Sequence, residues 1–275
     1  MSDTRIPLTI RVQPWYQDHS VDGRIVLPAV ETMLLLAARC LLFYPATDIR
    51  VMDDVRFGKF LEIPAAAATI AALVAFATDT NGRVQAKLLS HLQLGRMSRI
   101  KEHSEMFFPP GKIDREAPTN VDPAPPSGTV KKVDVEHIYR ELVPFGRYYH
   151  TLKGNLYLSD GEAWGELQAP ELPFTHPIQV DMGSPFPLDG ALHAACVLGQ
   201  EFVDFPPFPV GFARRIIFRP TQPGRKYFTR VTMTSLARDE LVFDLQIFDS
   251  QGQIFETVGG LRMRDVSKAM KKQTV

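Results

Sequence analysis

The sequence predicts an α+β chain built twice over, and three observations predict it. A stretch rich in Pro and Gly divides the 275 residues near their middle. Each half holds one helix-like run that is apolar on almost every face. Each of those runs is accompanied by four or five strand-like runs punctuated by turn signals. A composition of 45% hydrophobic and 23% charged residues suits a globular chain with a sizeable core. The length fits one large domain or two of roughly 130 residues each.

The elements follow in order. Residues 7–12 alternate as a strand does. Residues 29–43 (AVETMLLLAARCLLF) are helix formers, and a helix apolar all round must be wrapped by other structure. Strand-like runs follow at 49–63, 67–77 and 83–94, with Asn81-Gly82 as a hairpin signal between the last two. Residues 108–128 (FPPGKIDREAPTNVDPAPPSG) resist helix and sheet and read as a linker. The second half opens with a short helix at 134–142, then strands at 152–158 and 163–168 joined by Asp160-Gly161. A second apolar helix is expected at 191–202. Strands at 213–219, 227–237, 241–248 and 254–263 close the chain, with Gln251-Gly252 as a turn. The expected division is 1–107, a linker at 108–128, and 129–268. A sheet wrapped around one central helix buries the helix entirely and the sheet on one face. That is the hotdog arrangement, here expected twice.

Lys plus Arg and Asp plus Glu both number 31, so there is no bulk electrostatic pull toward nucleic acid or anionic membrane. Cys40 and Cys196 each lie in an apolar run, which suggests buried thiols in a reducing cytoplasm and no disulfide framework. The opening residues lack the basic-then-apolar pattern of a signal peptide, and the apolar run at 65–77 is too short to span a bilayer.

Three segments could carry chemistry. The first is His19-Ser-Val-Asp-Gly23-Arg-Ile-Val-Leu-Pro28, just before the first apolar helix. Gly23 permits positive φ or close backbone approach to a ligand. Pro28 starts a helix without losing a needed hydrogen bond. Free N–H groups there can polarise a carbonyl. A neutral His19 can take a proton near neutral pH. Each residue alone is equally an ordinary loop His, turn Gly and helix-starting Pro. The second segment is Phe186-Pro-Leu-Asp189-Gly-Ala-Leu-His193. Asp189 is either a helix N-cap or a partner facing His19 across the two halves, with His193 one turn on to orient it. The third is Phe145-Gly146-Arg147-Tyr148-Tyr149-His150, where aromatic packing competes with a pocket role for Tyr149 or His150. The seven His and two Cys lack metal-ligand spacing, and no phosphate loop or G-x-S-x-G elbow occurs.

With these motifs the chain resembles the dehydratase domains of polyketide and polyunsaturated fatty acid synthases, from about Pro7 to Met263. These are double-hotdog proteins. His19, Gly23 and Pro28 match the family's H-x3-G-x4-P, and Asp189 and His193 match its D-x3-Q/H at the second central helix. The 145–150 segment resembles the family's Gly-Pro-x-Phe element only loosely: Arg147 stands for the proline and Tyr149 for the phenylalanine, which leaves pocket shape and substrate open. Residues 208–216 also look like the family's stretch after that helix.

The resemblance implies a lyase that removes water from a β-hydroxyacyl thioester, with His19 as base and Asp189 as acid. Asp189 must then be protonated, which a water-poor pocket favours. Thioester charge would be held by N–H groups at Gly23 and the helix start near Pro28, with His193 and Tyr149 in substrate binding. The substrate would arrive on the phosphopantetheine of an acyl carrier protein, with no metal or other cofactor, in fatty acid or polyketide biosynthesis. Arg214, Arg215 and Arg219 could meet an acidic carrier, although a solvated strand face explains them equally well. Relatives of this fold catalyse cyclisation or double-bond isomerisation, and a non-catalytic acyl-binding protein is a further alternative. Both halves lie on one chain, so a monomer is viable and a homodimer plausible. No other synthase domain is present, so the chain is expected to act as a stand-alone protein in trans.

Overall fold

The computed structural model describes residues 4–94, 97–128, 130–172, 175–237 and 240–266. The expected outer limits at 1 and 268, and Thr129 where the second half is expected to begin, lie outside the described residues.

The first half forms β1 (Thr4–Arg11), a 3-10 turn at Pro14–Asp18, the small hairpin β2 (Ser20–Val21) and β3 (Arg24–Ile25), and helix α1 (Ala29–Phe43). It continues with β4 (Val51–Phe57), β5 (Thr69–Thr78), β6 (Val84–Leu94) and β7 (Met97–Phe108). The second half forms β8 (Lys131–Asp134), then α2 (Val135–His137), which runs into a π turn at Ile138–Leu142. There follow β9 (Leu152–Ser159), β10 (Glu162–Gln168), α3 (Gln179–Met182) and α4 (Phe186–Gly199). The last strands are β11 (Phe208–Ile217), β12 (Lys226–Ala237), β13 (Glu240–Phe248) and β14 (Ile254–Arg264).

Twelve of these strands make one sheet in the order β1-β5-β6-β7-β4-β11-β14-β13-β12-β10-β9-β8. The two halves therefore lie side by side and join where β4 pairs with β11, from Gly211 opposite Arg56 to Ile216 opposite Val51. Period-2 burial drives the wrapping. In β13, Leu241, Phe243, Leu245 and Ile247 are buried while Asp244 faces out. α1 buries Met33, Leu36, Ala37 and Cys40 completely, and every residue of α4 except Cys196 is buried. A helix so enclosed gains about 1.5–3 kcal/mol for each large apolar side chain taken from water.

The structure corrects several expected boundaries. β7 is absent from the expected strands because its sequence, MSRIKEHSEMFF, is largely polar. Its charges are met across the sheet instead: Lys87 pairs with Glu102 at 3.0 Å and with Glu105 at 3.3 Å. α4 begins at Phe186, five residues before the expected start at 191, because Pro187 sits in the first turn, where no N–H is required. β4 is only seven residues long and stops before Gly58.

The Pro-rich stretch is a strap held against both halves. Arg115 Nη1 donates to both oxygens of Asp48 at 2.7 Å, and the Ile113 N–H donates to Asp48 Oδ2 at 3.0 Å. Further along, the Val121 N–H donates to the Gly252 carbonyl at 2.9 Å, and Arg230 donates to the Asp122 carbonyl at 3.2 Å. The arginines after α4 are also engaged. Arg215 is buried and grips Glu256 with two bonds of 2.7 and 3.0 Å, so it is not available to an acidic carrier. Arg214 lies 3.4 Å from Asp53, and Arg219 donates to Gln253.

Candidate active site

His19 owes its position to a hairpin. Asp22 and Gly23, at φ 49° and 74°, form a two-residue turn between β2 and β3. Positive φ at both positions is the I′ type that suits a tight hairpin. The turn brings Val26 back to His19: the Val26 N–H donates to the His19 carbonyl at 3.0 Å, and His19 Nδ1 lies 3.2 Å from the Val26 carbonyl. Nδ1 therefore carries the proton, and Nε2 keeps a free lone pair. Burial lowers the His19 pKa to about 4, with Asp189 pulling it up and His193 pushing it further down. The ring is neutral at pH 7.

The 145–150 segment holds the other side of that ring. Phe145 stacks on His19 with centroids 4.4 Å apart, and Tyr149 meets it edge-on at 5.1 Å. The segment is anchored on Asp18, the neighbour of His19. The Gly146 N–H donates to the Asp18 carbonyl at 2.7 Å, and the Tyr148 N–H to Asp18 Oδ2 at 3.0 Å. Gly146 is required by this approach, because a Cβ there would lie 2.3 Å from Asp18 Cγ.

Asp189 lies inside α4, not at its N-cap. The N-cap is Pro185, and the Asp189 N–H donates to the Pro185 carbonyl at 3.1 Å. The capping alternative is thereby removed. Asp189 Oδ2 is 3.1 Å from His193 Nε2, yet neither atom makes a directed hydrogen bond. The contact is close, and each atom is buried without a hydrogen-bond partner. Tyr139 fixes the other side of the imidazole. Its oxygen accepts the Leu152 N–H at 2.9 Å and lies 3.3 Å from His193 Nδ1.

His19, Asp189 and His193 line one cavity of about 340 Å³ with Phe145, residues 57–61, His103, Ser104 and residues 206–210. It is walled by both halves of the chain. Four expected residues lie outside its lining. Gly23 is the tip of the hairpin with nothing within 4 Å of where a Cβ would be, so its use is the turn and not close approach to a ligand. Pro28 is the N-cap of α1, and the next residue, Ala29, reaches the cavity in its place. Tyr149 is fully buried behind His19 and its hydroxyl has no partner. His150 donates to the Phe145 carbonyl at 3.0 Å and borders a separate cleft with Arg147.

Sequence reasoning missed Tyr139, Ser104 and Glu31. Glu31 was legible as the one acid in an otherwise apolar helix run. Both its oxygens are occupied: Trp15 Nε1–H donates to Oε1 at 3.0 Å and the Tyr16 hydroxyl to Oε2 at 3.2 Å. Burial pushes its pKa up to about 7, against those two bonds. Among the described residues no group of three or more His, Cys, Asp or Glu could hold a metal ion, and no helix is long and apolar enough to cross a membrane.

Fold and cavity together define a double hotdog with a histidine from one half and an aspartate from the other at a shared pocket. The family model described as the polyketide synthase dehydratase N-terminal domain matches residues 117–273, more than half of the chain, and the chain belongs to that family. Solved structures agree on the fold. A dehydratase domain of a trans-AT polyketide synthase from Brevibacillus brevis has a TM-score of 0.75 at 16% identity, covering 95% of this chain and 93% of that one. The dehydratase domain from the CurJ module of curacin polyketide synthase gives 0.72 at 16% identity, covering 94% and 91%. The bifunctional dehydratase-cyclase domain of ambruticin biosynthesis gives 0.67 at 22% identity, also covering 94% and 91%. No curated protein matches the chain by sequence.

Proposed function

We propose that the protein dehydrates a β-hydroxyacyl thioester carried on the phosphopantetheine arm of an acyl carrier protein. The observation that carries this reading is the pairing in one cavity of a neutral imidazole with a free Nε2 and a buried carboxyl oxygen with no hydrogen-bond partner.

His19 Nε2 takes the α-proton, and the C–H electrons become the new Cα=Cβ bond. The Cβ–O bond breaks as Asp189, carrying its proton, delivers it to the departing hydroxyl, and water leaves. The proton on His19 returns to Asp189 before the next turnover. Negative charge gathering on the thioester oxygen is held by the first N–H groups of α1, which have no intrahelical partner and belong to the end of the helix where Ala29 lines the cavity. These replace Gly23 in that role. His193, steadied by Tyr139, holds the β-hydroxyl or Asp189 in place. The base thus comes from the half before the strap and the acid from the half after it.

The test is turnover of a carrier-bound β-hydroxyacyl thioester by wild type, His19→Ala and Asp189→Asn, with products identified by mass. Each variant is expected to lose about 10²–10⁴-fold in kcat/KM. Full activity in His19→Ala would overturn the assignment. A cyclised or shifted product in place of the α,β-unsaturated thioester would move the reaction to cyclisation or isomerisation. Carrier binding with no turnover would make the protein an acyl-binding one.

A further inference from the structure

The cavity has a second polar place. Among the buried side-chain atoms without a hydrogen-bond partner, three belong to residues that line it: Asp189 Oδ2, His193 Nε2 and Ser104 Oγ. The proposed reaction uses the first two. Ser104 lies on β7, in the half of the chain opposite α4, and no step requires it.

A defect in the sheet puts Ser104 there. β6 and β7 pair Leu88 with Ser104 but Leu89 with Glu102, so His103 is the extra residue of a β-bulge. A regular strand alternates its faces, and the bulge breaks the alternation. His103 and Ser104 are both buried, while Glu102 faces out and Glu105 meets Lys87. His103 is fully engaged. Its Nδ1 donates to the Lys59 carbonyl at 2.9 Å, its Nε2 accepts the Ser90 hydroxyl at 2.7 Å, and its carbonyl accepts the Gly58 N–H at 2.8 Å. These bonds lock the bulge to the loop after β4. Ser104, the next residue, is 2% exposed and lies between Leu88 and Phe57 in the sheet. Its hydroxyl is left with no partner on a cavity that Phe57, Phe60 and Phe208 also line.

We propose that Ser104 is a recognition subsite for an oxygen substituent carried by the acyl chain beyond its β-carbon, so that the preferred substrates are oxygenated acyl thioesters and not plain aliphatic ones. This rests on reading the cavity as an acyl-thioester site. A saturated chain laid against Ser104 leaves the buried hydroxyl without a partner. A ketone accepts from it, and a chain hydroxyl either donates to it or accepts from it. A site built around a hydrogen-bonding group discriminates against the ligand that lacks the partner.

The experiment measures binding and turnover separately with the full chain. Stable pantetheine amides of β-hydroxyacyl chains serve as probes in calorimetry: one fully saturated, the others bearing one further hydroxyl or ketone moved stepwise beyond the β-carbon. Wild type is expected to bind one position of the oxygenated series about 10-fold more tightly than the saturated chain. Ser104→Ala is expected to lose that preference. Ser104→Thr, which keeps the hydroxyl, is expected to retain the preference. Equal affinities across the series in wild type overturn the proposal, as does a preference that survives in Ser104→Ala. The matching thioesters then report turnover. A binding preference without dehydration leaves the subsite standing and removes the dehydratase reading, whereas dehydration without preference does the reverse.

Discussion

The two central helices each bury a carboxyl group near their start, and the two groups are treated oppositely. Glu31 in α1 is met on both oxygens, by Trp15 and Tyr16. Asp189 in α4 has an oxygen with no hydrogen-bond partner, 3.1 Å from His193 Nε2. Both are buried to within a few per cent. Burial therefore does not distinguish the two carboxyl groups; the hydrogen bonds around them do. The satisfied carboxyl ties the 3-10 turn to α1, and the unsatisfied one is what the proposed reaction puts to use.

The largest way to break this comparison is turnover. Asp189→Asn is expected to lose about 10²–10⁴-fold in kcat/KM, while Glu31→Gln stays within about 3-fold of wild type. Similar losses in both would mean that Glu31 also takes part. Stability should run the other way. Glu31→Leu leaves the Trp15 N–H and the Tyr16 hydroxyl without their acceptor, at about 1–3 kcal/mol for each. Asp189→Asn removes no directed hydrogen bond and is expected to unfold in urea at the wild-type midpoint or above it.

The pH dependence of stability sharpens the contrast further. The Glu31 pKa is raised from 4.5 to about 7 in the folded chain, so its contribution is complete below pH 4.5 and lost as pH rises through 7. The His19 pKa is lowered from 6.5 to about 4, so its contribution is complete above pH 6.5 and lost as pH falls through 4. Between these limits the two slopes oppose each other. Glu31→Gln removes the falling one, so unfolding free energy in that variant should rise with pH across this window by about 1 kcal/mol per pH unit more than in wild type. Equal slopes in the two proteins would show that the Glu31 carboxyl titrates alike folded and unfolded. The smallest effect concerns the turn that serves His19 and has no counterpart at Asp189. Gly23→Ala meets no steric contact but keeps φ 74°, and is expected to cost about 1–2 kcal/mol in denaturant unfolding.

Much of this was legible in the sequence. Two apolar runs too hydrophobic for any surface gave the central helices, and the Pro-rich stretch marked the division between them. The spacing from His19 to Pro28 and the pair Asp189 and His193 located the cavity. What stayed hidden depends on contacts between distant residues. β7 reads as polar because its charges are answered on β6 and β4, which no local pattern shows. Glu31 looks as reactive as Asp189 until Trp15 and Tyr16, some fifteen residues earlier, fold back on it. Ser104 is turned inward by a bulge that no periodicity announces. Of the two uses expected of Gly23, positive φ is the one the turn employs, and that turn sets the His19 tautomer.

The strap between the halves has a consequence for how such a site can change. In a pair of identical subunits every substitution appears on both sides of the axis. Here one chain encodes both sides, and the strap holding Asp48 at one end and Gly252 further along keeps them together at high effective concentration. Each half is thus free to mutate alone. One copy of the helix keeps an acid without a hydrogen-bond partner at the cavity while the other holds its own beneath a tryptophan and a tyrosine, a divergence closed to a pair of identical subunits.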